Sequence, residues 1–91
     1  MKYALLGIGQ AGLRHYEAFK KIRRLKFIGF TEFDKKKAIN FSHKNNVKHY
    51  KNLKDIINLK PDFIIIALPH SFRLEEIKLC SINNINLIIE K

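Results

Sequence analysis

The sequence predicts an α/β fold, a doubly wound parallel sheet with five strands in the order 3-2-1-4-5. Three observations predict it. Apolar runs alternate with helical patterns along the whole chain. The run "DFIIIAL" is apolar almost throughout, as a strand buried on both faces must be. A glycine-rich turn, "GIGQAG", separates the first apolar run from the first helical pattern. Strand–helix alternation with short connections places helices on both faces of a parallel sheet.

Each element has its own signal. "KYALL", Lys2–Leu6, reads as the first strand. "QAGLRHYEAFKKIRR" reads as a helix, with Leu13, Tyr16, Phe19 and Ile22 at three-to-four spacing. "KFIGF", Lys26–Phe30, is the second strand. "DKKKAINFSHKNN" is the second helix, with Asp34 as N-cap and Asn45-Asn46 as its stop. "VKHY" is a short third strand. "NLKDIINLK" is a short third helix, in which Asn52 and Asp55 form a capping box and which Pro61 closes. "DFIIIAL" is the fourth strand. "SFRLEEIKLCSIN" is the fourth helix, with Ser71 as N-cap, and "NLIIE" is the fifth strand.

Ninety-one residues allow a single small domain, here residues 1–91, with no linker, repeat or low-complexity segment. A hydrophobic fraction of 46% supports a packed core and excludes a disordered chain. The formal net charge of +10 would attract any polyanion without choosing among them. The basic clusters "KKIRR" and "DKKK" fall on or beside helices, where solvated faces carry such charge. Nucleic-acid binding therefore rests on charge alone, with no aromatic-interleaved basic strand or helix-turn-helix pattern behind it. Cys80 is the single cysteine, so no internal disulfide forms, and it reads as a small apolar filler. No run approaches the roughly 18–20 apolar residues of a membrane span. "MKYALLGIG" is too glycine-broken for a signal peptide. The expectation is a cytoplasmic protein with no membrane partner.

"GIGQAG" fits G-x-G-x-x-G over Gly7 to Gly12 and sits where a dinucleotide fingerprint sits, after a strand and opening a helix. Gly7 permits the turn, Gly9 lets a pyrophosphate approach, and Gly12 lets the helix pack closely. Ile8, Gln10 and Ala11 complete the turn, and the helix start offers unbonded N–H groups to phosphate. The fingerprint also needs an acid at the second strand's tip. Glu32 lies twenty residues beyond Gly12, the expected offset. Its carboxylate would accept from the ribose hydroxyls and repel a 2′-phosphate, favouring NAD over NADP, while the Lys35–Lys37 run pulls the other way. Further along, Leu68, Pro69 and His70 fall at the fourth strand's carboxyl end, the edge where such sheets bind ligands. Glu90 and Lys91 fall at the tip of the fifth.

These motifs together resemble those of the N-terminal half of the Gfo/Idh/MocA oxidoreductases, a Rossmann-type fold. "GIGQAGLRH" is similar to the family's G-x-G-x-x-G-x-x-H opening, with His15 in the histidine position. "TEFD" is similar to its acid-x-Asp pattern and puts Glu32 in the ribose position. "LPH", Leu68 to His70, is similar to T-P-N, and "EK", Glu90-Lys91, to E-K-P. The resemblance covers essentially the whole chain. It implies a nicotinamide cofactor, NAD with NADP as the alternative. It implies cofactor contacts at Leu68, Pro69, His70 and Glu90, and a catalytic role for Lys91 beside the nicotinamide. The implied reaction is hydride exchange with the hydroxyl or carbonyl carbon of a sugar or polyol.

There are departures. Leu68 and His70 replace Thr and Asn, and Arg73 stands where the family often has another histidine. The proline after "EK" is not in the sequence, nor is the family's second domain, which carries substrate and dimer contacts. The expectation is an incomplete dinucleotide-binding domain, marginal in stability, with the fifth strand as an open edge. The alternatives are a stand-alone nucleotide-binding module and a fragment without redox activity.

Overall fold

The computed structural model describes residues 1–67 and 74–89. The order is β1 (Lys2–Leu6), α1 (Gln10–Phe19), β2 (Lys26–Thr31), α2 (Lys35–Asn45), α3 (Leu53–Ile57), β3 (Phe63–Ile66), α4 (Leu74–Ile82) and β4 (Asn86–Ile89). The sheet runs β2-β1-β3-β4, and every pairing is parallel. Register sets the strand tips level: Leu6 lies beside Thr31 and Ile66, and Ile66 beside Ile89. That carboxyl edge is where the glycine turn begins.

Side chains alternate between two buried layers. Tyr3, Leu5 and Ile65 face a layer closed by Tyr16 of α1 with Ala38 and Phe41 of α2. Ala4, Leu6, Ile64 and Ile66 face the other, closed by Ile56 of α3 and Cys80 of α4. The doubly wound arrangement expected from the alternation is therefore present. The first layer is aromatic: the Tyr3 ring stacks on Phe63 at 5.5 Å and meets Phe19 edge-on at 5.6 Å.

The strand count differs from the expected five, because "VKHY" forms a single parallel bridge, Phe30 to His49. Its position outside β2 is as expected: the Phe30 N–H donates to the Lys48 carbonyl and the Tyr50 N–H to the Phe30 carbonyl. Two caps bracket the segment too closely for a longer ladder. Asn46 ends α2 in the left-handed conformation, and Asn52 begins α3 by accepting from the Asp55 N–H. The expected fifth strand is β4, a sheet edge among the described residues, with Ile88 and Ile89 about two-fifths exposed (38% and 43%).

Other boundaries moved for local reasons. The first helix ends at Phe19, short of the expected Arg24. Four cations in the next five positions, Lys20, Lys21, Arg23 and Arg24, would crowd one helical turn with like charge. The chain instead turns through Ile22 to bring Leu25 against the core. β2 carries a bulge: its register against β1 slips between Tyr3 and Ala4, so Ile28 is the extra residue. Phe27 and Phe30, three apart, thereby reach the same aromatic layer. Gly29 takes φ 152°, and a Cβ there would meet the Tyr50 ring at 2.4 Å. Among the described residues no helix is long and apolar enough to cross a membrane.

Candidate functional site

The carboxyl edge at β1 and β2 holds the site. Gly7 leaves β1 with φ 91° and donates its N–H to the Thr31 carbonyl at 2.9 Å, so the turn is tied to β2 from its first residue. Gly9 caps α1 with no side-chain hydrogen bond, and the first turn of α1 holds no acid. The positive end of the α1 dipole is thus left unneutralised by the helix itself. At Gly12, a Cβ would meet the Gly7 carbonyl oxygen at 2.4 Å and the Ala67 Cβ at 3.5 Å. The helix packs against its own turn there, and only a residue without a side chain permits it.

Gly9 differs. Its backbone is ordinary extended chain, φ −65° and ψ −173°, and a Cβ there would meet nothing within 4 Å. The protein places no steric demand on this position. What a side chain would fill is open space directly before the N-terminus of α1. That is the opening a pyrophosphate needs to reach the Gln10 and Ala11 amides.

Glu32 stands beside this opening and is fixed there. Its Oε1 accepts from the Ile8 N–H at 3.0 Å and its Oε2 from the Asp34 N–H at 3.0 Å. One carboxylate therefore ties the glycine turn to the β2–α2 connection. Two oxygens carry about four acceptor sites, so capacity remains for ribose hydroxyls. The sequence offered two acids at this tip, and the structure separates them. Asp34 accepts from the Lys36 and Lys37 N–H groups at 3.0 and 3.2 Å and is occupied as the α2 cap.

A cleft of about 440 Å³ runs from the glycine turn between α1 and α2, lined by Ile8, Gly9, Gln10 and Leu13 on one side and Lys37, Asn40 and Lys44 on the other. The α2 contribution has no motif in the sequence and follows from the packing of α2 on Tyr16 through Phe41. A wider open groove of about 610 Å³ lies between α3 and α4, with Lys54 and Lys78 beside Glu75 and Glu76. It lacks a glycine turn, whereas the smaller cleft, where Glu17 lies with Lys37 and Lys44, has one and is the better ligand site. Cys80 is no rival centre: burial pushes its thiol up to about 11, far from the thiolate a nucleophile requires.

Of the residues expected at the site, the structure brings together Gly7, Ile8, Gly9, Gln10, Ala11, Gly12 and Glu32. Leu68, Pro69, His70, Glu90 and Lys91 lie outside the described residues. His15, in the second turn of α1, rests its ring on Phe19 at 5.7 Å.

A family model described as "Oxidoreductase family, NAD-binding Rossmann fold" matches residues 1–91. Among solved structures, the fold is similar to the WlbA dehydrogenase from Chromobacterium violaceum in complex with NADH and UDP-GlcNAcA, with TM-score 0.88, 20% identity and all of this chain aligned to 27% of that one. It is similar to myo-inositol 2-dehydrogenase from Lactobacillus plantarum, with TM-score 0.86 and 26% identity, 100% of this chain covering 28% of that one. It is similar to biliverdin reductase from a Synechocystis species in complex with biliverdin and NADP+, with TM-score 0.91 and 19% identity, 99% of this chain covering 29% of that one. The chain thus spans under a third of the length of these proteins. No curated protein sequence matches it.

Proposed function

The chain belongs to the Gfo/Idh/MocA oxidoreductase family, and from that premise we propose that residues 1–91 are the dinucleotide-binding portion of an enzyme exchanging hydride between a nicotinamide cofactor and a sugar or polyol hydroxyl or carbonyl. The observation that carries this reading is the open space at Gly9, set between the start of α1 and the fixed carboxylate of Glu32.

The residues fit the group they would hold. Gln10 and Ala11 present amides to the pyrophosphate across Gly9, and Glu32 accepts from the adenosine ribose. When bound, a nicotinamide cofactor supplies the carbon that gives or takes hydride. Glu32 favours NAD, since a 2′-phosphate would sit beside a carboxylate already held in place by two N–H groups. Lys91 follows β4 in sequence, and the family resemblance gives it the proton of the reacting hydroxyl. Leu68, Pro69, His70 and Glu90 are assigned to the cofactor on the same ground. The substrate class rests on relatives named for UDP-GlcNAcA and myo-inositol. Biliverdin reductase shares the fold as closely, so substrate choice belongs to parts of the enzyme other than this one.

Calorimetric titration tests the reading. NAD binds the chain, and Gly9→Val abolishes binding without changing the circular dichroism spectrum. NADP binds about tenfold more weakly, ~1.4 kcal/mol. Binding of NAD that survives Gly9→Val unchanged would sink the site. Salt-dependent DNA binding with no competition by NAD would favour the charge-driven reading.

A further inference from the structure

The end of the strands opposite the glycine turn is a basic edge. The "KKIRR" cluster, expected on a helix, instead follows the end of α1 and crosses this edge as a turn. The turn is held in place. The Ile22 N–H donates to the Phe19 carbonyl and the Leu25 N–H to the Ile22 carbonyl, both at 3.0 Å, and Leu25 packs on the aromatic layer. Lys21, Arg23 and Arg24 are exposed on it. Lys26 opens β2 beside Lys2 of β1. The Lys2 Nζ donates to the Leu59 carbonyl at 2.8 Å, next in sequence to the exposed Lys60. Lys44 joins from the last turn of α2. The Glu17 carboxyl is held below its ordinary value by its hydrogen bond from Lys20, and then by the charges of Lys20, Lys21 and Lys44, so these lysines gather about one acid.

Two carboxylates share this edge among the described residues, and both are engaged. Glu17 pairs with Lys20 at 2.7 Å, and Asp62 accepts from the Lys2 N–H at 2.7 Å. The edge is therefore strongly positive. Like charge at such density costs stability through self-repulsion, which an anionic partner relieves. Apolar side chains stand among the cations. Ile22, between Lys21 and Arg23, is 40% exposed. Met1, whose carbonyl accepts from the Lys26 N–H at 2.7 Å, is 64% exposed. Cations around a projecting apolar side chain match the surface of an anionic bilayer, where the charges meet headgroups and the apolar chain enters the acyl boundary. Single-stranded nucleic acid calls for aromatic platforms, and the exposed large apolar side chains at this edge are aliphatic.

We propose that the turn between α1 and β2, with Ile22 at its centre, is a docking surface for an anionic lipid bilayer. The expectation of no membrane partner rested on the lack of an apolar span, which a peripheral contact does not need. The dinucleotide site lies at the other end of the strands, so the surface is independent of that reading.

The test is co-sedimentation of the 91-residue chain with vesicles. The chain binds phosphatidylcholine vesicles containing about one-third phosphatidylserine and does not bind pure phosphatidylcholine vesicles. Lys21→Ala, Arg23→Ala and Arg24→Ala together weaken binding about 100-fold, about fivefold for each cation. Ile22→Ser weakens it about fivefold at unchanged charge. Lys51→Ala, Lys54→Ala and Lys78→Ala together remove the same charge from the α3–α4 side and weaken binding no more than about threefold. Equal losses in the two triple variants would overturn the surface, since net charge alone would then account for binding. Full affinity in Ile22→Ser would overturn it as well. Absence of vesicle binding, with single-stranded RNA held through Lys21, Arg23 and Arg24, would replace the bilayer by nucleic acid.

Discussion

The turn between β1 and α1 and the bulge in β2 both depend on glycine, but the space around their glycines differs. At Gly12 a backbone carbonyl occupies the place of a side chain, and at Gly29 the Tyr50 ring does. Around Gly9, three residues before Gly12, nothing stands within 4 Å. The first two are demanded by the chain's own packing. The third is demanded by nothing in the described residues, and this supports the proposal that the space is kept for a ligand. Glycines within one motif can thus be divided by what would collide with them.

The sharpest way to break this comparison is Gly12→Ala. The clash is with backbone, which cannot swing aside, so a loss of about 3 kcal/mol is expected in a denaturant titration. A near-wild-type midpoint would mean that the turn relaxes and that Gly12 is no more constrained than Gly9. Next comes Gly29→Ala, expected to cost about 2 kcal/mol from its positive φ and from displacing the Tyr50 ring. Repeating it in a Tyr50→Ala background separates the two contributions: the part that persists is backbone strain.

Tyr3 sharpens the comparison from the opposite side, because there the space is filled and a partner is lacking. Its hydroxyl is buried with no hydrogen-bond partner among the described residues. Tyr3→Phe should raise stability by about 1 kcal/mol at neutral pH. Burial, with Tyr16 a lesser cause, pushes the Tyr3 hydroxyl up from 10.0 to about 12. The unfolded chain therefore loses this proton first. The contribution is fully present below pH 10 and is lost between pH 10 and 12, at up to about 1.4 kcal/mol per pH unit. Tyr3→Phe should flatten that part of the wild-type pH profile, and an unchanged slope would argue against the burial.

The smallest expected effect on stability is at Gly9. Gly9→Ser adds a side chain where there is room and supplies a better helix cap, so stability should hold or rise by a few tenths of a kcal/mol. NAD affinity should fall all the same. A variant that loses both together would remove the distinction between Gly9 and Gly12.

Much of this was legible in the sequence. The alternation of elements, the glycine turn, the Asp34 and Asn52 caps and the acid twenty residues on from Gly12 all stand where their patterns place them. Those signals are local, and local chemistry decides them. What escaped is non-local. The bulge is visible beforehand only as Phe27 and Phe30 at a spacing that a flat strand would send to opposite faces. The loss of the third strand depends on how two caps crowd a short segment. That Glu32 would use both oxygens on backbone amides, and that Lys37 and Lys44 would face Gly9, required the packing of α2.

The parallel order of the sheet also governs how the chain can reach it. The turn contact from Ile8 to Glu32 spans 24 residues, whereas the contact closing β1 onto the β3 side, Lys2 N–H to the Asp62 carboxylate, spans 60. A parallel neighbour cannot arrive through a hairpin, so one flank of β1 stays unpaired until β3 has been synthesised and has crossed over. During that interval a nascent chain would present Tyr3, Leu5 and an open backbone edge together. Synthesis rate and chaperone access would then set how much of the protein folds and how much associates.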